Sequence, residues 1–258
     1  MCIRDSPATD QDPAKQAWIH NTADATAVFP DDLKALYDDC VAKAKKGVLM
    51  FPAEEAVPGT TWAPFVKFRN ALYKHFHYDE RRINLEITGK KSSATAYHIK
   101  DYIHSVLGDL PPEQCAPGRK IECHREAASA FGAMHAAAKA DGVDLLVLSG
   151  FREPKNKVSK NKYAVASNSS HSYGLALDLQ LSVDTDHDHK GNEFSVKETT
   201  TGDANNLMKY YKSSVLKWML VNGAKFNFFP YQNEPWHYEF NPQGMADQII
   251  AGAKAYKK

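Results

Sequence analysis

The sequence has little of several features that would assign a protein quickly to a class. None of its 258 residues lie in a run that approaches the ~20 apolar residues of a membrane-spanning helix. Lysine and arginine (32) balance aspartate and glutamate (31), so a net charge of +1 provides no broad field that favours nucleic acid. No internal repeat is visible, and the four cysteines lack partners at zinc-finger spacing. A composition of 43% hydrophobic and 24% charged residues is typical of a globular protein.

The cellular compartment is left open by two further features. Residues 1–11 lack the apolar core of a signal peptide, so the chain is interpreted as a mature or truncated form, or as a protein released without a signal. Cys115 and Cys123 flank a short loop with Pro117 and Gly118, and could pair under oxidising conditions or remain thiols.

Two short segments in the second half concentrate side chains that bind metals. Residues 169–178 read SSHSYGLALD, and residues 234–237 read EPWH. Catalytic zinc takes three protein ligands and keeps one position for a water whose pKa falls to about 7. We therefore predict His171, Asp178 and His237 as zinc ligands, with Glu234 as the general base. A lone His on a strand is more often structural, and His171 with Asp178 alone would be an ion pair; the second segment favours zinc.

Alternating hydrophobicity places both segments on strands. From Leu175 to Leu181 the leucines alternate with Ala176, Asp178 and Gln180, which predicts a half-buried strand. From Trp236 to Phe240 the aromatic residues share one face, and His237 and Glu239 share the other. Each strand is predicted to have an apolar underside and a polar working surface.

These segments resemble the zinc D-alanyl-D-alanine peptidases, which include vancomycin-resistance carboxypeptidases and dipeptidases, cell-wall endopeptidases and some phage endolysins. The family pattern is Ser-x-His-x-x-Gly-x-Ala-x-Asp followed by Glu-x-Trp-His. The chain matches it at every position: Ser169, His171, Gly174, Ala176, Asp178, Glu234, Trp236 and His237. A third family element, Ser-Gly-Tyr-Arg, corresponds to Ser149-Gly150-Phe151-Arg152, with Phe151 in place of tyrosine. The resemblance covers roughly Glu122 to Pro242.

The resemblance implies a function and further site residues. It implies Zn²⁺ as cofactor and peptidoglycan stem peptides as substrate, with carboxypeptidase action first and endopeptidase action second. Arg152 would hold the polarised carbonyl or the oxyanion, although alone it would be interpreted as part of a surface salt bridge. Ser169 and Trp236 would contribute to substrate binding, and Ser169 could instead steady the ligand loop. A zinc-bearing binding module without turnover, as in hedgehog signalling proteins, is the alternative class.

The sequence also gives expectations about the compartment, the partners and the residues that anchor a substrate. The resemblance implies a periplasmic or secreted protein; no nucleic acid or membrane span is expected, and a monomer is favoured. The family's Gln after the Arg is absent, and Lys155, Asn156 and Lys157 occupy that stretch. Candidates for anchoring a substrate's terminal carboxylate are Arg152, Lys155, Lys157 and Lys160. The acidic loop beginning at Asp184 lacks the Gly and Glu of an EF-hand, having His189 and Ser195 there, and is interpreted as solvated rather than metal-binding.

The predicted fold is α+β, with a small, mainly antiparallel sheet carrying the zinc site and helices flanking it. Residues 1–111 are predicted as a mainly helical region that could brace the catalytic domain, and residues 112–258 as the zinc peptidase domain. Hydrophobic periodicity predicts helices over 32–46, 61–76, 94–107, 124–140 and 203–221, and strands over 143–148, 175–181, 224–229 and 236–240.

Overall fold

A computed structural model of the chain describes residues 7–21, 23–46, 64–78, 81–90, 96–153, 169–181, 208–231 and 234–256. These residues mix helices with small antiparallel sheets, which confirms the predicted α+β class. The helices are α1 (Pro13–His20), α2 (Asp31–Lys45), α3 (Pro64–His75), α4 (Ile83–Lys90), α5 (Ala96–Val106), α6 (Arg125–Ala140), α7 (Ser214–Asn222) and α8 (Met245–Ala255). The strands are β1 (Leu107–Asp109), β2 (Glu122–His124), β3 (Val147–Ser149), β4 (Ala176–Leu179), β5 (Phe228–Tyr231) and β6 (Glu234–Phe240).

The chain divides into two compact units, each assembled from separate stretches. The first, which we call the sheet unit, takes in the described residues of Met1–Thr9, Glu80–Gln180 and Gly223–Lys258. The second, which we call the helical unit, takes in those of Asp10–Asp79 and Leu181–Asn222. The predicted domains, 1–111 and 112–258, remain a prediction.

The helical unit is built on an aromatic core. Asp12 caps α1 by accepting from the Ala14 N–H, and Asp31 and Asp32 lie in the first turn of α2, where acidic groups complement the helix dipole. The buried rings of Trp18, Tyr37, Phe68 and Tyr211 belong to this core. Such large side chains supply most of the apolar area that stabilises a small unit.

The sheet unit contains a four-stranded antiparallel sheet of order β3-β4-β6-β5 and a separate β1-β2 hairpin. Strand β4 pairs with β6 in a register that sets Asp178 opposite His237. Every residue of β4 is buried, so the expectation of a half-buried strand is wrong. The alternation is real, but the face that carries Ala176 and Asp178 is closed over as well.

Three predicted elements differ from those observed. Of the strand expected over 143–148, only residues 147 and 148 lie in β3, and residues 143–146 are not in a strand. A single helix over 203–221 is wrong in its described part, because residues 211–213 are not helical and α7 begins at Ser214. The Ser213 hydroxyl, 3.4 Å from the Leu216 N–H, provides a cap that starts the new helix. The strand expected over 224–229 is a 3₁₀ turn (Gly223–Phe226) followed by β5, with Asn227 at φ 62° between them.

Several expectations concern other parts of the chain. Residues 154–168, with the three candidate lysines, and residues 182–207, with the acidic loop, lie outside the described residues. Cys115 and Cys123 are both free thiols in the structure. None of the helices that the structure describes has the length and apolar character needed to cross a membrane.

Candidate metal centre

His171 is held rigidly by the turn that precedes β4. It lies in a short 3₁₀ helix (Ser170–Tyr173) that Gly174 ends in the left-handed conformation, at φ 67°. A Cβ at Gly174 would come within 2.7 Å of the His124 backbone nitrogen, so only glycine fits there. The buried imidazole has its Nδ1 2.6 Å from the Gly150 carbonyl oxygen. Since that carbonyl can only accept, Nδ1 carries the proton and Nε2 keeps its lone pair.

The Ser-Gly-Phe-Arg segment therefore has a structural part in the site. Its Gly150 accepts from His171, and its Arg152 N–H donates to the His171 carbonyl oxygen at 3.2 Å. A side chain at Gly150 would collide with the Glu122 carbonyl oxygen of β2. Close backbone packing on both sides explains why this position is glycine.

Asp178 lies at the centre of the cluster. Its Oδ1 is 3.1 Å from His171 Nε2 and 3.0 Å from His237 Nδ1. The antiparallel register of β4 and β6 brings the residue opposite His237, while the intervening turn returns His171 to the same place. A contact between positions 59 apart in sequence is thereby fixed by the sheet.

His237 is oriented by a second carboxylate on its own strand. Its Nε2 lies 3.4 Å from Glu239 Oε1, so the Nε2–H donates outward and Nδ1 faces Asp178 and His171. The two imidazoles approach edge to face, with Nε2 of His171 3.2 Å from Nδ1 of His237. Both imidazole rings are nearly completely buried.

Three ligand atoms thus converge on one point: His171 Nε2, Asp178 Oδ1 and His237 Nδ1. Their separations are 3.0, 3.1 and 3.2 Å. A tetrahedral zinc ion bound at about 2.0–2.1 Å has its ligand atoms about 3.3 Å apart. The donor set and the spacing both fit zinc, and two of the ligands already have the outer hydrogen bonds that metal-binding histidines make.

Without an ion, a proton can occupy the same position. Burial would lower the pKa of His237, but hydrogen bonds to Asp178 and Glu239 raise that pKa to about 9. Burial lowers the pKa of His171, and the Asp178 carboxylate opposes that change only in part. For Asp178, burial favours the neutral form, yet the two imidazoles hold its pKa well below its usual value. A metal ion must therefore displace a proton from His237, and its binding will weaken as the pH falls.

Glu234 faces the same cluster because of an irregularity in β6. In a regular strand, positions 234 and 237 would point to opposite faces. Here Tyr231 pairs with Glu234 while Pro230 pairs with Tyr238, so β6 has extra residues at this point and its direction changes. The Glu234 Oε2 lies 3.8 Å from His237 Nδ1, and its side chain is 12% exposed. A carboxylate beside the ligands, at the margin of solvent, is suitably placed to accept a proton.

Arg152 supplies a positive charge at the mouth of the cluster. Its Nη2 lies 3.5 Å from Asp178 Oδ2, the oxygen not shared with the two imidazoles, and its side chain is 54% exposed. At this separation and exposure the pair contributes little to stability. The guanidinium remains accessible to a ligand.

Ser169 and Trp236, the remaining predicted site residues, lie in different positions relative to the cluster. Ser169 precedes the ligand turn and caps it, its Oγ lying 3.4 Å from the His171 N–H. The side chain of Trp236 is 8% exposed and follows the strand alternation to the face opposite His237. These positions favour a supporting part for Ser169 and leave a substrate contact of Trp236 as a prediction.

The sequence places Glu239 on the same strand face as His237 but indicated no part for it, and no sequence pattern indicated Arg82 or Tyr231. Glu239 is fully buried, and its Oε1 lies 2.8 Å from Arg82 Nε. Arg82 packs over the Tyr231 ring at 3.7 Å, and that ring meets His237 edge-on at 5.8 Å. A carboxylate two residues after a ligand His, on the same strand face, was the only signal available.

Comparison with known proteins adds a family match. Residues 120–243 match the family model described as "VanY: D-alanyl-D-alanine carboxypeptidase". The matched segment includes all three candidate ligands, Glu234 and Arg152. No curated protein matches the chain.

Proposed function

Because residues 120–243 match the model of the D-alanyl-D-alanine carboxypeptidase family, we propose that this chain is a zinc peptidase that trims peptidoglycan stem peptides. The observation that carries the zinc assignment is the triangle of ligand atoms formed by His171, Asp178 and His237. Its edges suit one tetrahedral ion, and all three ligand side chains are buried. Such an ion supplies Lewis-acid chemistry when bound, polarising a carbonyl and lowering the pKa of water.

Glu234 is proposed as the general base. Its carboxylate lies beside His237 without being a member of the ligand triangle, so it can accept a proton from the attacking water. The same carboxyl group then donates that proton to the leaving amine as the peptide bond breaks. Positioned proton transfer of this kind contributes about 10²–10⁴ in rate.

Arg152 is proposed to bind the substrate's negative charge. Its guanidinium lies at the rim of the cluster and is half exposed, so it can reach a scissile carbonyl or a terminal carboxylate. A fixed cation stabilises the developing oxyanion most where water is scarce. We expect D-alanine at the scissile bond and removal of the C-terminal residue, with internal cleavage as the second possibility. The activity requires access to the cell wall, outside the cytoplasm.

The test is digestion of purified muropeptides, followed by mass spectrometry. Loss of one terminal alanine from a pentapeptide stem identifies a carboxypeptidase, whereas separation of cross-linked stems identifies an endopeptidase. Glu234→Gln should lower kcat about 10²–10⁴-fold while one zinc per chain is retained. The matched control is Glu113→Gln, an exposed carboxylate in the same unit.

The proposal fails if the zinc-loaded wild-type chain cleaves no muropeptide bond. That result would favour the alternative of a zinc-bearing binding module. Full activity of Glu234→Gln would instead remove this residue from the mechanism. A chelator should abolish cleavage and added Zn²⁺ should restore it; activity that persists after verified metal removal would contradict the zinc assignment.

A further inference from the structure

Among the residues that the structure describes, Glu239 has the most completely buried carboxylate near the site. It has no exposed surface and lies two residues beyond His237, on the same face of β6. A buried charge is costly unless it is paired and hydrogen-bonded. The groups that contact the Glu239 carboxylate therefore indicate its role.

Two of those partners come from a single short stretch at the start of α4. Arg82 Nε lies 2.8 Å from Oε1, and the Ile83 backbone N–H donates to Oε2 at 2.8 Å. Both carboxylate oxygens are thus fixed, one by a charge and the other by a backbone group that cannot rotate away. Arg82 is itself held against the Tyr231 ring at 3.7 Å.

The oxygen bound by Arg82 also faces the ligand imidazole. Glu239 Oε1 lies 3.4 Å from His237 Nε2, the ring nitrogen that does not face Asp178. The chain of contacts runs from Arg82 through Glu239 to His237, and each link has one clear donor. Rotation of the imidazole would break the Nε2–H contact and turn Nδ1 away from the other two ligands.

We propose that Glu239 is a positioning residue that fixes the His237 ring for metal binding, and that Arg82 fixes Glu239. The inference rests on the metal centre of the proposed function. It adds that the centre is completed by residues 82 and 83, which lie outside the segment matched by the family, 120–243. Carboxylates that orient a ligand histidine typically contribute 10–100-fold to metal affinity or activity.

The test measures Zn²⁺ affinity of the full chain by competition with a chelator, without any substrate. Glu239→Gln keeps the size of the side chain but removes the charge that holds Arg82, and should bind Zn²⁺ about 10–100-fold more weakly. Arg82→Met leaves the Ile83 contact in place and should weaken Zn²⁺ binding in the same direction by a smaller factor. Because Arg82 is 19% exposed, this second variant can fold even where the first does not.

A matched control uses an ion pair at the opposite end of α4 from Arg82. Lys90 of α4 lies 2.6 Å from Asp247 of α8, and both side chains are exposed. Lys90→Met should leave Zn²⁺ affinity unchanged. This control separates an effect on the orientation of His237 from a general effect on the packing of α4. Co²⁺ in place of zinc provides a spectroscopic signature, since its visible absorption bands should change in Glu239→Gln and stay unchanged in Lys90→Met.

Wild-type zinc affinity in both Glu239→Gln and Arg82→Met, with an unaltered Co²⁺ spectrum, would overturn the inference. Equal weakening in Lys90→Met would also overturn it, because the effect would then come from helix docking. Failure of the proposed function is distinguishable. If the wild-type chain binds no zinc, the metal centre itself falls; if it binds zinc without hydrolysing muropeptides, only the activity falls.

Discussion

The two units of the chain both bury charged groups, but they satisfy them in opposite ways. In the helical unit, the ammonium of Lys217 has no exposed surface. Its Nζ lies 3.1 Å from the carbonyl oxygen of Trp18, 2.5 Å from that of Asn21 and 3.4 Å from that of Asp24. An ammonium has three N–H donors, so the protein itself supplies a partner for each.

In the candidate metal centre of the sheet unit, three buried polar atoms face one another. His171 Nε2, Asp178 Oδ1 and His237 Nδ1 all offer lone pairs toward a single point. One proton or one cation can serve all three atoms, and no fourth side chain is needed to complete the geometry. The difference supports the proposed function, because three converging lone pairs suit an ion taken from solution, whereas Lys217 is satisfied within the fold.

Zinc should therefore stabilise the sheet unit, and this is the largest expected effect. Binding to the native state alone contributes about 4 kcal/mol when the ligand is at 1,000 times its Kd. Thermal melting with and without a chelator measures the shift. Asp178→Asn removes a charged ligand and should abolish the zinc-dependent shift.

The control for that prediction is Asp144→Asn. Asp144 is a largely exposed carboxylate in the same unit, 3.6 Å from a histidine, His135, so it repeats the chemical change away from the cluster. Zinc should raise the melting temperature of this variant as much as that of the wild-type chain. An equal zinc-dependent shift in Asp178→Asn would show that the ion binds elsewhere.

Gly174→Ala tests whether the turn that carries His171 must keep its shape. The left-handed φ of 67° costs about 1–2 kcal/mol for alanine, and the contact with the His124 backbone adds a cost of overpacking of about 1–3 kcal/mol. We expect a loss of about 3 kcal/mol in the free energy of unfolding, measured by chemical denaturation.

Gly118→Ala is the matched comparison, because Gly118 has φ 72° but an added Cβ would meet nothing within 4 Å. Only the conformational cost, about 1–2 kcal/mol, is expected there. If the two variants lose equal stability, close packing at Gly174 does not constrain the ligand turn.

The cluster of candidate ligands could be predicted from the sequence because local features place two of its members. Ser169 caps the turn, Gly174 ends it, and the alternation after Leu175 sets the strand face of Asp178. The proposed general base, Glu234, was predicted from its motif alone, since regular alternation would have turned it away from His237. Glu234 faces the cluster because the pairing of β6 with β5 is irregular at this point. This irregularity depends on both strands, so the sequence of neither strand predicts it.

The support from Arg82 could not be predicted for a related reason. Arg82 and Glu239 are 157 positions apart, and their pairing follows from packing of α4 rather than from spacing. Helix α4 itself was missed, because it contains Ile83, Ile87 and Thr88, which favour strands, and Gly89, which weakens helices. Tertiary contacts overrode these local preferences.

The last expected effect concerns Lys217 of the helical unit and has the form of a pH dependence. Burial lowers the pKa of Lys217 to about 8 in the folded chain, against an ordinary value of 10.5. Between these values the unfolded chain binds more protons, so the free energy of unfolding rises with pH; below about 8 this group contributes no slope. The rise is at most about 3 kcal/mol, and denaturant titrations from pH 7 to 10.5 measure it.

Lys217→Met should lack this slope, whereas Lys74→Met, at an exposed lysine of α3, should retain it. If the free energy of unfolding of Lys217→Met depends on pH as that of the wild-type chain does, Lys217 is not the source of the slope. The three carbonyls would then keep the ammonium charged over this pH range.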